Sequence, residues 1–309
     1  MYWKGIDSVD VFHSGERSIQ RRVGVQRIAD QVGQMIQPYV TEDFQWFLES
    51  QPWLVMGSTD SEGRLWVSAL CGEPGIIRLS DDRTVHILRL KNTWDLVYTN
   101  VLHNTNVGLI VINFGQRIRI RINGMVKGLN DQELIVKTDQ VYGNCPKYIQ
   151  ARGLKAARLD PTVTPEVVHD ISLDERQQAW IRQADTFFIA SANAEGKTDV
   201  SHRGGRPGFI RVLDERTLVW PDYTGNMMFN TLGNIVENPK SGLLFLDFDD
   251  GHTLQLTGYC TIVWSLSVND QASFPGVQRL IQFRLSEVIH IRHAHNCSWD
   301  FIGYSPYNP

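Results

Sequence analysis

Short apolar runs separated by turn residues dominate this chain. From position 58 onwards, one apolar run ends at Glu62-Gly63, a second ends at Pro74-Gly75, and further short runs rich in Val, Ile and Phe follow. Runs of strand length between acidic-Gly and Pro-Gly turns are typical of antiparallel sheets. The pattern therefore predicts a mainly β protein whose strands form an antiparallel barrel.

The pattern occurs twice. Residues 58–85 align without a gap to residues 191–218, at a shift of 133 positions that pairs Ser68 with Ser201 and Arg78 with Arg211. At a shift of 134, residues 104–114 align to residues 238–248. A repeat of this length indicates that a whole domain is duplicated.

An amphipathic helix is predicted ahead of each barrel. Residues 41–51 place Phe44, Phe47 and Leu48 on one helical face, and residues 172–175 form a capping box opened by Ser172. The interval around Pro161 and Pro165 has no helical period. We therefore predict an N-terminal arm (1–40), a first domain (41–155), a linker (156–168) and a second domain (169–309).

Composition and charge narrow the functional classes. The formal net charge of −4 is spread along the chain and no apolar run reaches 18 residues, so neither a nucleic-acid partner nor a membrane span is expected. The four cysteines lie far apart without a CxxC pair, and the first residues lack the apolar stretch of a signal peptide. These features predict a protein of the reducing cytoplasm.

The two copies differ in the loop after the second strand. Residues 68–78 carry Glu73 and Arg78, whereas residues 201–211 carry three arginines around Gly204-Gly205. The forked donors of arginine and backbone N–H groups that no side chain obstructs are suited to binding a phosphate. The alternative interpretation is that this segment is a solvated loop. Residues 221–234 hold a second polar cluster where the first copy has Lys91, Asn92, Trp94 and Asp95. Its side chains suit a ring system or a ribityl chain, or form a plain turn before a helix.

The segment from Val200 to Phe248, with LQLTG after it, resembles the pyridoxamine 5′-phosphate oxidase-like, FMN-binding split β-barrel family. Residues 12–24 and 144–152 resemble a two-barrel branch of it. The resemblance implies two tandem six-stranded split barrels and non-covalent FMN in the second. The isoalloxazine would lie in a cleft shared with another barrel, usually that of a homodimer.

The resemblance also implies site residues, position by position. Arg203 and Arg206 are expected at the phosphate, and the lysine common in the family is missing. Because the chain carries two barrels, its own first domain is expected to supply the surface that a second subunit supplies elsewhere, with one FMN per chain. The cofactor-binding residues expected are His202, Arg203, Gly205, Arg206, Asp222, Tyr223, Asn226, Asn230, Thr231, Gln255 and Leu256.

The protein is expected to be an FMN-dependent oxidoreductase that exchanges hydride or electrons with a small substrate or a nicotinamide. The chain is expected to form a homodimer or to be monomeric. The alternatives are a flavin-binding or flavin-storing module without turnover, and a haem-binding split barrel that uses His202 or the C-terminal histidines. A pyridoxamine phosphate substrate would need a second arginine cluster, and none is evident in the sequence.

Three further motifs leave alternatives open. His293, His295 and Cys297, with His290 nearby, have the spacing of a zinc or copper site on one strand, although a polar strand is commoner, and no metal is expected. Cys145 is a redox thiol or a small buried residue. The group His13, Glu16 and Arg17 is a proton relay or, more commonly, a helix cap with ion pairs.

Overall fold

The computed structural model describes residues 10–90, 95–157, 164–274 and 276–309. Two large antiparallel sheets make the protein mainly β, which confirms the predicted fold class. Lys91, Asn92 and Trp94 lie outside the described residues, as do positions 158–163 of the predicted linker. No described helix has the length and apolar character needed to cross a membrane.

The first sheet follows three short helices and has seven strands. Its strands lie in the order β2-β1-β5-β6-β7-β4-β3. The elements are α1 (Ser14–Arg22), α2 (Gln26–Gly33), α3 (Glu42–Ser50), β1 (Trp53–Thr59), β2 (Leu65–Cys71), β3 (Ile77–Asp81), β4 (Thr84–Leu88), α4 (Val97–His103), β5 (Asn106–Asn113), β6 (Ile118–Leu129) and β7 (Glu133–Gly143).

The second sheet has the same strand order once each strand is replaced by its aligned counterpart. It runs β11-β10-β14-β15-β16-β13-β12, and β9 pairs with the C-terminal end of β16. The elements are β8 (Ala151–Ala157), β9 (Glu166–Asp170), α5 (Glu175–Gln183), β10 (Thr186–Ala192), β11 (Thr198–Gly204), β12 (Arg211–Asp214), β13 (Thr217–Pro221), α6 (Asn230–Glu237), β14 (Lys240–Leu246), β15 (Thr253–Val263), α7 (Val268–Ser273), β16 (Leu280–Arg292) and β17 (Cys297–Gly303).

The predicted helices form, with one shifted start. Thr41 caps α3, and its Oγ1 accepts from the Phe44 N–H at 3.4 Å. The second helix is capped by Asp174, with Gln177 closing the capping box, and not by Ser172. An aspartate two residues downstream offers a stronger acceptor to the first helical N–H groups, so it takes the cap position.

Strands overlap both ends of the predicted linker. β8 ends at Ala157 and pairs with β17, and β9 begins at Glu166 and pairs with β16. Prolines hid these strands from the sequence pattern because they interrupt its apolar runs. The domain boundaries themselves stay a prediction.

The sheets pack against each other through β1, β2 and β5 on one side and β10, β11 and β14 on the other. Every residue of β1, β2 and β10 is buried. A shared apolar cluster that includes Val55, Val67, Phe188 and Leu244 lies between the sheets, and each sheet has a further core on its other face. Strands buried on both faces explain the near-continuous apolar runs of these segments.

Two aligned glycines mark where the sheets touch. A Cβ on Gly108 would lie 2.8 Å from the Asp199 backbone, and a Cβ on Gly242 would lie 2.5 Å from the Leu65 carbonyl oxygen. Real Cβ atoms do not approach backbone so closely. The sheets therefore meet backbone to backbone at two equivalent places.

The structure also joins two cysteines. Cys71, the last residue of β2, and Cys297, the first residue of β17, form a disulfide across 226 positions of sequence. The spacing of the cysteines had indicated unpaired thiols. Sequence distance hides this pair because sheet packing brings its members together.

The glycine contacts yield the first prediction. Gly108→Ala and Gly242→Ala should each destabilise the protein by about 1–3 kcal/mol, because overpacking a tight contact forces the backbone to shift. Gly303→Ala, whose new Cβ would meet nothing within 4 Å, is the matched control and should be neutral. Urea unfolding monitored by tryptophan fluorescence measures all three. Equal midpoints would show that the sheets do not touch at these positions.

Candidate functional site

A cleft opens where the first sheet meets the second. It encloses about 880 Å³ of empty space, including its open mouth. Its walls come from β6, from residues 144–148 after β7, from the end of β11, and from the segment between β13 and α6. Both halves of the chain therefore line it.

Seven of the eleven predicted cofactor-binding residues line this cleft. They come from the end of β11 and from the polar segment before and within α6, the two regions in which the sequence copies differ most. They are His202, Arg203, Asp222, Tyr223, Asn226, Asn230 and Thr231.

The structure does not bring the other four to the cleft. Gly205 packs against the Phe209 ring and donates its N–H to the Asp185 carbonyl oxygen at 3.0 Å. Arg206 is exposed, with its guanidinium 5.1 Å from the centre of the Tyr304 ring. The geometry gives neither residue a place beside a ligand in this cleft.

Gln255 and Leu256 lie on β15, away from the cleft. The Gln255 amide donates to Asp95 Oδ2 at 3.3 Å, and Leu256 is buried in the core of the second sheet. At the shift of 134 positions, the counterpart of Gln255 is Arg121 on β6, which does line the cleft. The resemblance placed a cofactor-binding residue at this position of β15. In the structure, the aligned position of β6, in the first sheet, lines the cleft instead.

Sequence reasoning missed the residues that the first half contributes. Arg119 and Arg121 of β6 line the cleft beside Arg203, and so does Tyr148 from the segment after β7. The aligned repeat carried a signal for Arg121, since it pairs that position with Gln255.

The three arginines form a cationic cluster, in which Arg121 is buried and Arg119 and Arg203 are half-buried. The Arg119 guanidinium donates to His202 Nδ1 and to the Cys145 carbonyl oxygen, at 2.9 and 2.8 Å. Arg121 pairs with Asp199, and Arg203 donates only to its neighbour's carbonyl oxygen at 3.1 Å. Among the described residues, Asp199 thus pairs with one of the three cations, and Asp222, which also lines the cleft, pairs with Arg279.

Electrostatics favour an anion at this cluster. Burial, together with the charges of Arg121 and Arg203, lowers the pKa of Arg119 to about 9, so its guanidinium stays charged at neutral pH under mutual repulsion. Burial lowers the pKa of Arg203 as well. Within the described residues, Arg119 Nε is buried without a hydrogen-bond partner. A bound anion would relieve both the repulsion and the missing contact.

His202 is neutral in this setting. Burial first, and then the charge of Arg119, holds its pKa well below the ordinary value. Because Arg119 donates to Nδ1, the proton of the neutral ring sits on Nε2. That Nε2 is buried and has no partner in the described part of the chain, so it is available as a donor to a ligand.

The N-terminus of α6 faces the same cleft. Asn230, Thr231 and Leu232 line it, and no described side chain caps the helix, whose N-cap residue is Phe229. The first N–H groups and the helix dipole create a positive potential there, which suits a phosphate. Thr231 Oγ1 lies 3.0 Å from Ser201 Oγ and adds a hydroxyl to this corner.

Left-handed backbone conformations surround the cleft. Tyr148, Met227 and Phe229 have φ values of 65°, 64° and 63°, and all three line it. Such conformations in bulky residues cost about 1–3 kcal/mol each and cluster at functional sites. The surrounding contacts therefore stabilise a backbone conformation that these residues rarely adopt.

The mouth is partly aromatic. The rings of Tyr148 and Tyr223 lie 5.3 Å apart, and the Tyr148 hydroxyl donates to the Thr224 carbonyl oxygen at 2.9 Å. Phe209 and Pro221 add apolar surface. A segment that belongs to the first half of the chain thereby covers the polar segment of the second.

The N-terminal arm supports the cleft from behind. His13 caps α1 in a capping box with Glu16, and Arg17 pairs with Asp10 and Asp30. Glu16 Oε1 accepts from the Asn230 amide at 2.5 Å. These contacts favour the helix-cap interpretation over a proton relay.

Glu16 yields a prediction of pH dependence. Its burial raises the pKa from 4.5 to about 7, so ionisation of Glu16 costs the folded protein stability as pH rises from about 5 to about 7. Glu16→Gln removes this titration, and wild type should lose up to about 3 kcal/mol relative to the variant over that interval. Urea unfolding of both proteins from pH 5 to pH 8 measures the difference. A difference that does not change with pH would contradict the raised pKa.

Comparison with known proteins gives a family match in the second half of the chain. Residues 173–291 match the family model described as pyridoxamine 5′-phosphate oxidase. No curated protein sequence matches the chain.

Three similar solved structures share low identity with the chain. HupZ of Group A Streptococcus is 14% identical (TM-score 0.31), over 43% of this chain and 98% of its own. An FMN-binding protein from Syntrophomonas wolfei is 10% identical (0.28), over 41% and 95%. A Clostridium acetobutylicum protein related to general stress protein 26 and ascribed to the pyridoxinephosphate oxidase family is 14% identical (0.28), over 40% and 89%. Residues 173–291 are thus similar to the pyridoxamine 5′-phosphate oxidase family.

Proposed function

We propose that the cleft binds FMN and that the protein is an FMN-dependent oxidoreductase. The observation that carries this proposal is the cluster of Arg119, Arg121 and Arg203, which faces the uncapped end of α6 in a chain whose residues 173–291 match this family model. Bound FMN would supply hydride and electron transfer, which no side chain offers. The solved FMN-binding protein from Syntrophomonas wolfei is consistent with this choice of flavin.

The phosphate would bind at the basic corner. Arg203 and Arg119 offer guanidinium donors, Thr231 and Ser201 offer hydroxyls, and α6 offers backbone N–H groups. This set compensates for the lysine that the sequence lacks. A doubly charged phosphate also neutralises the repulsion among the arginines, which a neutral ligand would leave in place.

The rest of the ligand would lie along the polar segment and the aromatic mouth. Asn226 and Asn230 suit the hydroxyls of a ribityl chain, and Tyr148 and Tyr223 offer faces to a planar ring. The neutral His202 would donate from Nε2 to an acceptor of the ligand. Asp222 also lines the cleft, and its carboxylate is paired with Arg279 at 2.7 Å.

One such site per chain is expected. At the equivalent place of the first copy, Ser68 Oγ donates to the buried Asp95 carboxylate at 2.5 Å, and Gln255 donates to the same group. Burial raises the pKa of Asp95. An acidic group surrounded by these neutral donors offers a phosphate no cation, so we do not expect the duplicated position to hold a second FMN.

The substrate and the setting belong to the same proposal. The electron partner would be a small molecule or a nicotinamide. We expect neither a nucleic-acid nor a membrane partner. The protein would be cytoplasmic, and either monomeric or a homodimer. The chain completes its own cleft, so pairing is not required to form the site.

A flavin carrier without turnover is the second candidate. It is favoured by one observation: Asp222, the acidic group that lines the cleft, is already paired, which leaves no free carboxylate among the described lining residues for acid–base work. Haem receives no such support, because His202 Nδ1 accepts from Arg119 and the ring proton occupies Nε2. The C-terminal histidines lie outside the cleft.

Binding is tested with charge-removing variants. Arg203→Gln and Arg119→Gln should each weaken FMN binding by about 10–100-fold, since a hydrogen bond to a charged group contributes about 1.5–3 kcal/mol. Arg206→Gln, outside the cleft, is the matched control and should bind as wild type does. Quenching of FMN fluorescence on titration measures the affinity.

Riboflavin separates the phosphate contact from other effects. It lacks the phosphate, so its weaker binding should be unchanged in Arg203→Gln. Equal FMN affinity in wild type and both cleft variants would remove the basis for placing FMN here.

Turnover is tested by anaerobic mixing of the FMN-loaded protein with NADH or NADPH. An oxidoreductase that uses a nicotinamide should lose its flavin absorbance at 450 nm at least about tenfold faster than free FMN does. A rate equal to that of free FMN with both nicotinamides would favour the carrier over this form of the enzyme.

A further inference from the structure

A second cluster of chemically reactive side chains lies away from the cleft, in the shared apolar cluster between the sheets. The Sγ atoms of Cys71 and Cys297 and a ring nitrogen of His295 lie within 4.8 Å of one another. Cys71 ends β2 of the first sheet, whereas Cys297 begins β17 and His295 lies in the loop just before it. Contact between β2 and the chain's last strand therefore assembles the cluster.

The sequence pattern had placed His293, His295 and Cys297 on one strand face. The structure corrects this: β16 ends at Arg292, and His293 turns away with a φ of 53° and a ring that is 4.6 Å from that of His252. His295 instead points toward Cys71, a residue that the sequence pattern did not include.

His295 has no polar partner in this interior. It is 8% exposed, and neither Nδ1 nor Nε2 has a hydrogen-bond partner among the described residues. A buried imidazole without a partner is costly, and such a group in a native structure calls for an explanation. Its backbone N–H donates to the Gly251 carbonyl oxygen at 3.3 Å, which fixes the loop that carries it.

The surroundings are dry and aromatic. The Trp299 ring lies 5.9 Å from that of His295 and 5.2 Å from that of Trp53, and Cys71 and Cys297 are 2% and 1% exposed. Two thiolates are soft ligands and an imidazole is a borderline one, and such sets select copper(I) and zinc(II) over magnesium or calcium. An apolar shell strengthens binding because it keeps water from competing.

We propose that this cluster is a redox-gated metal site, which binds one thiophilic ion, copper(I) or zinc(II), when the disulfide is reduced. A dithiol reductant would transfer two electrons and two protons to the disulfide and become oxidised to its own disulfide. Binding of the ion then displaces the two thiol protons to solvent, and His295 supplies the third ligand. In the oxidised state both sulfurs are bonded to each other and the site is closed.

The two ions share this donor set and differ in the number of ligands. Three protein ligands complete a trigonal copper(I) site, whereas zinc(II) needs a water molecule as the fourth ligand. A reducing compartment would hold the cysteines as thiols and the site open. The metal site and the FMN cleft use different residues, so either can exist without the other.

Metal uptake by the full chain tests the proposal. The chain is reduced with an immobilised phosphine under anaerobic conditions, and copper(I) is supplied as its bathocuproine disulfonate complex, whose absorbance falls as copper leaves it. A zinc(II) complex of 4-(2-pyridylazo)resorcinol serves the second arm. We expect one ion per reduced chain in at least one arm and none per oxidised chain.

Variants locate the site. His295→Gln should weaken uptake at least about tenfold, a loss that even partners behind metal ligands can cause. His293→Gln, in the same loop, and Cys145→Ser, which removes the exposed free thiol, should bind as wild type does. Cys71→Ser and Cys297→Ser should lose uptake. Because His295→Gln retains both cysteines, it tests the site even if the serine variants fail to fold.

Either ion bound with this residue dependence supports the proposal. Uptake of neither ion by the reduced chain would overturn it, and so would wild-type uptake by His295→Gln. Uptake that disappears in Cys145→Ser would assign the metal to the exposed thiol and would overturn it too.

Discussion

The ion pair between Arg121 and Asp199 is the contact on which the arrangement of the two sheets depends. One partner lies on β6 and the other on β11, and both side chains are about 95% buried. Tyr142 adds its hydroxyl, 3.4 Å from Asp199, and its ring, 5.0 Å from the guanidinium. Removing one partner of such a pair leaves an uncompensated buried charge, at a cost of about 3–5 kcal/mol. The pair therefore sets which part of β6 faces which part of β11.

That register builds the cleft. Side chains two positions apart on a strand share a face, so Arg119 stands beside Arg121, and Ser201 and Arg203 follow Asp199. Pairing Arg121 with Asp199 thus brings the two remaining arginines to one cavity. Among the described residues that line the cleft, the carboxylate is that of Asp222, which is paired with Arg279, so a positive potential is left for a ligand to neutralise. A structural ion pair and a ligand site are in this way adjacent parts of one interface.

Much of the fold was accessible from the sequence, because turns and apolar runs are local signals. Antiparallel strands and the helix at residues 41–51 were predicted from such runs. The contrast between the copies identified Arg203 and the segment from Asp222 to Thr231, since a charge present in one copy only is not needed by the fold. The contacts between the sheets could not be predicted from these local signals. No local pattern indicates that Arg121 replaces Gln255 at the cleft, that Arg206 points to solvent, or that Cys71 meets Cys297.

The central claim is that one chain completes its own ligand site with residues from both sheets. Native mass spectrometry of the FMN-saturated protein, over a dilution series that separates any dimers, tests it most directly. The account predicts single chains that each carry one FMN, at a ratio that does not change with dilution. Two FMN per chain would contradict the asymmetry between the copies, and FMN retained only by dimers would show that a second chain, and not the first sheet, completes the cleft.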